Sequence, residues 1–287
     1  MSKNKLFNII TFSNNLLIIA TICSIMVSFS LLLTPTFCRA EMYVSAYFGA
    51  NFGLATNPRW DARKWAGTDV RPQYAYFSQA YKPIGYYPPL TFPAFNASNI
   101  GVEPSYMVGG KFGYWFSRQG ALSANYPDFM KYLGLELDIS YNPLKWGKQS
   151  TVISPINYPM QIENNGNTIT AAFLLMGRYG FMKDKEVPFG RLQPYLGIGP
   201  AILVTTTKLN IGVDYKSTEA DIGFMVESGL RYMIKKCFSV NAEFKYRYAR
   251  IHADVDDRVF SRPYWLFVPM STTYNLFSLT VGVGYHF

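Results

Sequence analysis

The last stretch of the chain, residues 274–287, alternates between apolar and small or polar side chains. The apolar set is Phe277, Leu279, Val281, Val283, Tyr285 and Phe287, and the intervening set is Ser278, Thr280, Gly282, Gly284 and His286. A period of two places these sets on opposite faces of a β-strand. Lipid requires an apolar face and a narrow lumen requires small or polar side chains, so the pattern is typical of a membrane-barrel strand.

The same alternation recurs in seven earlier stretches, which makes eight predicted strands. Their bounds are 43–52, 106–116, 132–141, 168–180, 191–205, 220–233, 238–251 and 274–287. We predict an all-β, antiparallel, up-and-down transmembrane barrel of eight strands, with long loops at 53–104, 142–167, 206–219 and 252–273. A further hairpin at 74–81 would raise the number to ten. Residues 171–176 lack polar side chains and also fit a helix.

Residues 1–40 have the features of a secretory signal. Lys3 and Lys5 precede an apolar run at 16–33, and Ala40 ends a short segment with small residues where a signal peptidase cleaves. We expect cleavage after Ala40, which leaves residues 41–287 as the barrel. An uncleaved anchor is the alternative, because the apolar run is just long enough to span a bilayer.

Composition agrees with a barrel and excludes other classes of protein. Aromatic residues make up 17% of the chain and charged residues 16%, so it is neither a disordered chain nor an average soluble domain. The formal net charge is +9, but basic runs are absent, which argues against a nucleic-acid partner. The simplest interpretation is scattered charge, and the alternative is mild attraction to phosphate-rich lipid headgroups.

Many charged residues fall on the polar faces of the predicted strands. The predicted lumen network is Lys111, Glu136, Asp138, Arg178, Asp221, Glu227, Arg231, Glu243, Lys245 and Arg247. Charges in a narrow lumen must pair, because desolvating a lone charge is costly. An eight-stranded barrel is only wide enough for its own side chains. We therefore expect a salt-bridged plug, with a narrow or gated ion path as the alternative.

Four segments carry a resemblance to a known family: 134–138 (GLELD), 193–199 (QPYLGIG), 242–246 (AEFKY) and 283–287 (VGYHF). Residues 41–287 resemble the small outer-membrane β-barrel proteins of Gram-negative bacteria, the group of the outer membrane protein A transmembrane domain and the opacity-type, porin-like surface proteins. The resemblance implies a monomer in outer-membrane lipid and lipopolysaccharide, with periplasmic termini and extracellular long loops. It also implies that Phe287, with Tyr285, is the signal read by the barrel assembly machinery.

The first predicted loop combines aromatic and arginine side chains, which dominate interface hot spots. The candidate surface-binding set is Arg59, Trp60, Arg63, Trp65, Tyr74, Tyr76, Tyr86 and Tyr87. These residues would bind a host or extracellular ligand, or their rings would pack together as a lid or lie at the headgroup level. We expect a protein of envelope integrity or surface adhesion, with a narrow porin-like channel as the alternative.

We expect no enzymatic activity and no bound cofactor or metal. The sequence has no Cys/His zinc spacing and no glycine-rich phosphate loop. His252 is followed by Asp254, Asp256, Asp257 and Ser261. A base beside a hydroxyl could modify outer-leaflet lipid, and the aspartates could bind calcium, but a solvated acidic loop is the simpler interpretation.

Overall fold

The computed structural model describes residues 42–60, 95–116, 126–154, 158–210, 214–253 and 270–287. The strands in these ranges are β1 (Met42–Gly53), β2 (Arg59–Trp60), β3 (Phe95–Asn96), β4 (Ser105–Trp115), β5 (Leu133–Ile153), β6 (Tyr158–Arg178), β7 (Leu192–Asn210), β8 (Asp214–Lys235), β9 (Phe238–Ala253) and β10 (Met270–His286). The predicted leader, the hairpin at 74–81 and most of the fourth predicted loop lie outside the described residues. No helix in the described ranges is long and apolar enough to cross a membrane.

The eight long strands form a closed antiparallel ring. Each pairs with the next one along the chain, and β1 pairs with β10 to close the ring. The predicted eight-stranded up-and-down barrel is therefore confirmed, and residues 171–176 lie in strand β6 rather than in a helix. The Phe287 N–H donates to the Met42 carbonyl (3.1 Å), so both ends of the barrel domain lie together. We call this side of the barrel the terminal end and the opposite side the far end.

The outer face of the ring is an apolar band between two aromatic girdles. Leu135, Ile198 and Val281 are more than half exposed within the band. The far-side girdle comprises Phe52, Tyr106, Tyr141, Phe224, Tyr246, Tyr248 and Phe277. The terminal-side girdle comprises Phe116, Tyr132, Tyr179, Phe181, Phe238, Tyr285 and Phe287. This banding is characteristic of a barrel surrounded by lipid.

Two hairpins extend well beyond the far-side girdle. Strand β5 continues to Ile153 and β6 begins at Tyr158, so the predicted loop at 142–167 is wrong. Strand β7 continues to Asn210 and β8 begins at Asp214, so most of the predicted loop at 206–219 is also strand. The prediction failed because the alternation reverses its polarity in these segments, with the polar residues on the outer face.

The inside of this extension holds an apolar cluster beside a few buried polar residues, such as Asn164 and Thr207. On β5, the inward residues Leu144 and Trp146 are buried, while Lys145 between them is exposed. The far-end cluster consists of Trp60, Ala97, Ile100, Leu144, Trp146, Ile153, Ile162, Leu209, Ile251, Ala253, Met270 and Tyr274. A mostly polar outer face around a buried apolar cluster is the arrangement expected of a wall that stands in water.

The short strands β2 and β3 continue the ring above β1 and β4. Arg59 pairs with Ser271 of β10 and with Asn96 of β3. Asn96 and Ser154 exchange two backbone hydrogen bonds of 3.0 Å, which join β3 to the end of β5. These two strands therefore lengthen the wall at the far end without widening the barrel.

Candidate functional site

The lumen is crossed at mid-height by a cluster of buried charges centred on Lys111. Its ammonium lies 3.2 Å from Glu136 and 3.0 Å from Glu243, and it also pairs with Glu227. A fourth carboxylate, that of Asp138, lies 4.0 Å away. Lysine from β4 thus reaches acids on β5, β8 and β9, so the contacts cross the lumen rather than follow one hairpin.

A second lysine completes this network. Lys245 pairs with Asp138 and lies 3.3 Å from both Glu227 and Glu243. All six side chains of the network are at most 1% exposed. Two ammonium groups shared among four carboxylates make a continuous web, which we call the central network.

Three tyrosines of the lumen hold these carboxylates in place. The hydroxyl donors and their acceptors are Tyr43 with Glu136, Tyr47 with Asp138 and Tyr195 with Glu243. Each tyrosine stands directly opposite a glycine on the neighbouring strand, and these glycines are Gly113, Gly109 and Gly229 respectively. A Cβ atom at Gly113 would overlap the Tyr43 ring. The glycines therefore leave the space in which each ring lies across the neighbouring strand.

Arg247 closes the next level of the lumen toward the far end. Its guanidinium donates to the amide oxygens of Asn142 (2.7 Å) and Asn51 (2.6 Å). It also donates to the hydroxyls of Thr170 and Ser278, both at 3.2 Å. These acceptors come from β1, β5, β6 and β10, so one side chain of β9 ties together much of the ring. Above it begins the apolar far-end cluster.

Two lumen arginines below the central network stack on aromatic rings. The Arg178 guanidinium lies 4.1 Å from the ring centroids of Trp115 and Phe189. The Arg231 guanidinium lies 4.1 Å from the ring centroid of Tyr43. Desolvated guanidinium groups are stabilised over aromatic faces. Both arginines face the lumen, but they form a separate level beneath the central network.

Asp221 lies outside the central network, although the sequence grouped it there. Strands β8 and β9 pair from the terminal end up to Gly223 and Ala249, and beyond this point their described residues form no ladder. The Asp221 carboxylate accepts the backbone N–H of His252 (2.9 Å), and its other oxygen lies 2.6 Å from the His252 Nδ1. Asp221 therefore links the diverging edges of two strands, which we call the far-end seam.

Three of the network acids are close enough together to hold a cation. Oxygens of Glu136, Asp138 and Glu227 lie within 4.8 Å of one another. The ammonium groups of Lys111 and Lys245 contact the same carboxylates and supply positive charge there. We therefore assign no metal to this cluster.

The candidate binding loop is described only in part. Trp60 is 6% exposed and packs in the far-end cluster, which does not support a surface-binding role for its ring. Arg59 lies beside it in β2. The remaining candidates, Arg63, Trp65, Tyr74, Tyr76, Tyr86 and Tyr87, lie outside the described residues, as do the four polar residues grouped with His252.

A closed antiparallel ring with an apolar outer band, two aromatic girdles and a charged, filled lumen defines a transmembrane β-barrel. The family model of the outer membrane protein beta-barrel domain matches residues 50–287. The chain therefore belongs to this family, whose place is the bacterial outer membrane. No protein of curated function matches the sequence.

Several solved structures are similar to this chain. Neisserial surface protein A is 13% identical, with a TM-score of 0.39, over 86% of this chain and 97% of that one. OprG from Pseudomonas aeruginosa is 12% identical, with a TM-score of 0.42, over 86% and 97%. The N-terminal β-barrel domain of Pseudomonas aeruginosa OprF is 13% identical, with a TM-score of 0.36, over 86% and 98%.

Proposed function

We propose that this protein is a closed outer-membrane barrel that serves envelope integrity or surface interaction through its far end and does not conduct solutes. The observation that carries this proposal is that side chains fill the lumen at successive levels. From the terminal end these are the stacked arginines, the central network, Arg247 and the far-end cluster.

The central network is a barrier because its charges satisfy one another. An ion entering this level would have to separate Lys111 or Lys245 from carboxylates on several strands. Removing one partner of a buried ion pair costs about 3–5 kcal/mol, since the remaining charge is left uncompensated. The three tyrosine hydroxyls add further hydrogen bonds to the same acids.

The far-end cluster is a second barrier, which is apolar where the central network is charged. Leu144, Trp146 and Ile162 are at most 1% exposed where they meet inside the wall. A hydrated ion gains nothing in such a layer and would lose its water, and apolar constrictions in channels close by excluding water. Opening one barrier therefore leaves the other in place.

The long hairpins favour a role at the far end, because they carry a polar wall beyond the lipid band. In this proposal the leader at 1–40 is removed on export, and the assembly machinery reads Phe287 and Tyr285. The termini are periplasmic, the far end faces the exterior, and the barrel is a monomer in lipid and lipopolysaccharide. An extracellular ligand would bind at the hairpins or at the first loop.

Planar-bilayer recordings test the closed lumen. We expect no conductance steps from the wild-type protein, from Glu243→Ala, or from Leu144→Ala with Trp146→Ala, because each variant keeps at least one barrier. We expect steps when Glu243→Ala, Arg247→Ala, Leu144→Ala and Trp146→Ala are combined. Lys235→Ala, at the exposed terminal end of strand β8, is the matched control.

The shift in gel mobility between unboiled and boiled samples verifies that each variant is folded. Regular conductance steps from the folded wild-type protein would contradict the proposal and establish the narrow channel. If the combined variant does not fold, the wild-type and single-barrier recordings still decide between the two functions.

A further inference from the structure

A row of lysine and asparagine side chains crosses the outer wall just beyond the far-side girdle. Lys145 of β5 is paired with Asn165 of β6, and Lys208 of β7 is paired with Lys216 of β8. The Lys208 N–H donates to the Asn164 side chain (3.0 Å), which places the two pairs at one level. We call Lys145, Asn165, Lys208 and Lys216 the lysine row.

The lysine row lies at the height of lipid headgroups. The last apolar residue of β5 in the lipid band is Tyr141, which pairs with Ile169, and the row begins four residues later. Four residues span about 13 Å along a strand, or about 10 Å along the membrane normal for a strand tilted by roughly 40°. The headgroup region extends about 5–7 Å beyond the hydrocarbon core on each side, so the row lies at its outer edge and the long lysine side chains can reach back to it.

The three ammonium groups of the row point outward, and none of them forms an ion pair with a described side chain. Lys145 and Lys216 are exposed, and Lys208 is partly exposed. Among the side chains that the structure describes, no carboxylate oxygen lies within 4.0 Å of these three nitrogens. Two acids follow the row toward the far end, Glu163 two positions from Asn165 on β6 and Asp214 two positions from Lys216 on β8, and the Glu163 carboxylate accepts the Asn165 amide (2.7 Å). Three lysines against these two acids leave the local charge positive.

We propose that the lysine row binds the phosphate groups of a phosphorylated lipid in the leaflet that meets the far end. Adjacent strands lie about 4.8 Å apart, so a row across four strands spans about 14 Å, enough for a headgroup that carries two phosphates. The row faces sideways, in line with the lipid band below it, so a membrane lipid can contact both. In the orientation proposed above, this lipid is the phosphorylated glycolipid of the outer leaflet.

Lipid retention by the folded full-length barrel tests this assignment. Wild-type protein and the Lys145→Gln/Lys208→Gln/Lys216→Gln variant are incubated in neutral detergent with lipid A or with dephosphorylated lipid A, and bound lipid is counted by native mass spectrometry. We expect wild-type protein to retain lipid A and the variant to bind it at least tenfold more weakly. Added salt should weaken wild-type binding, because exposed charges are screened.

The matched control removes three exposed lysines at the terminal end of the barrel, Lys183→Gln, Lys185→Gln and Lys235→Gln. It loses the same charge and should bind lipid A as wild-type protein does. Equal binding by the row variant, or equal binding of the dephosphorylated lipid, would overturn the proposal. So would competition by a soluble sulfated polysaccharide at lower concentration than lipid A, which would assign the row to a soluble polyanion. None of these results depends on whether the lumen conducts.

Discussion

At the scale of single residues, the lumen is built from a repeated unit of glycine, tyrosine and carboxylate. The alternation of inward and outward side chains along each strand was enough to predict that Lys111, Glu136 and Lys245 face the lumen. It could not predict their partners, because contacts across a barrel depend on the stagger between strands. The same limit explains why Asp221 was grouped with the lumen charges and not with His252, and why the tyrosine hydroxyls were missed.

Substitution of Gly113 tests the repeated unit. Gly113→Ala should displace the Tyr43 ring and break its bond to Glu136, because the new Cβ would overlap that ring. Overpacking of this kind costs about 1–3 kcal/mol. We expect conversion to the boiled gel mobility at a lower temperature than for wild-type protein.

Gly177→Ala is the control for this substitution, since the nearest atom to its Cβ would be the Leu196 carbonyl oxygen at 4.0 Å. Tyr43→Phe keeps the ring but removes the hydroxyl, and should cost about 1–3 kcal/mol by leaving a buried acceptor unsatisfied. A Gly113→Ala protein as heat-resistant as Gly177→Ala would show that the ring position is unimportant.

At the scale of elements, strand prediction succeeded in the lipid band and failed beyond it. The stretch predicted at 106–116 is strand Ser105–Trp115, and that at 238–251 is Phe238–Ala253. Both have an apolar outer face. In β5 the prediction stopped near Asn142, where an apolar inner face begins, because an alternation of reversed polarity was interpreted as a polar loop.

The contact between Asp221 and His252 at the far-end seam should protect one backbone amide from hydrogen exchange. Asp221→Ala removes the acceptor of the His252 N–H, which no neighbouring strand replaces in the described residues of β8. We expect faster hydrogen exchange at the His252 amide and unchanged exchange in the lipid band, measured by mass spectrometry on peptides. Thr218→Ala, an exposed outward position on the same strand, is the control. Unchanged exchange at His252 would mean that Asp221 does not hold the seam.

At the scale of the whole molecule, the alternation and the terminal strand were sufficient for the fold, its closure and its family. They were not sufficient for direction in the membrane, because a barrel wall is similar whichever end faces out. The proposed orientation depends on the length of the far-end hairpins against the short turns at the terminal end, such as the Lys235–Phe238 turn.

An epitope inserted at the tip of each side tests this orientation. An epitope between Ser154 and Tyr158 should bind antibody on intact cells, and one at Lys185 should bind only after the outer membrane is permeabilised. Both proteins must first show the gel shift of the folded barrel. Labelling in the reverse pattern would place the far end in the periplasm and would move the lysine row to the inner leaflet.

The reversal of polarity along β5 means that one continuous strand is stabilised by two different solvents. Residues 133–141 are stabilised because their outward apolar side chains contact lipid. Residues 144–153 are stabilised because their inward apolar side chains are buried away from water. Urea weakens the second effect and has no access to the first. Dilute urea should therefore unfold the far-end extension while the lipid-embedded part of the barrel stays folded. The gel shift depends on the lipid-embedded part, so it should not change.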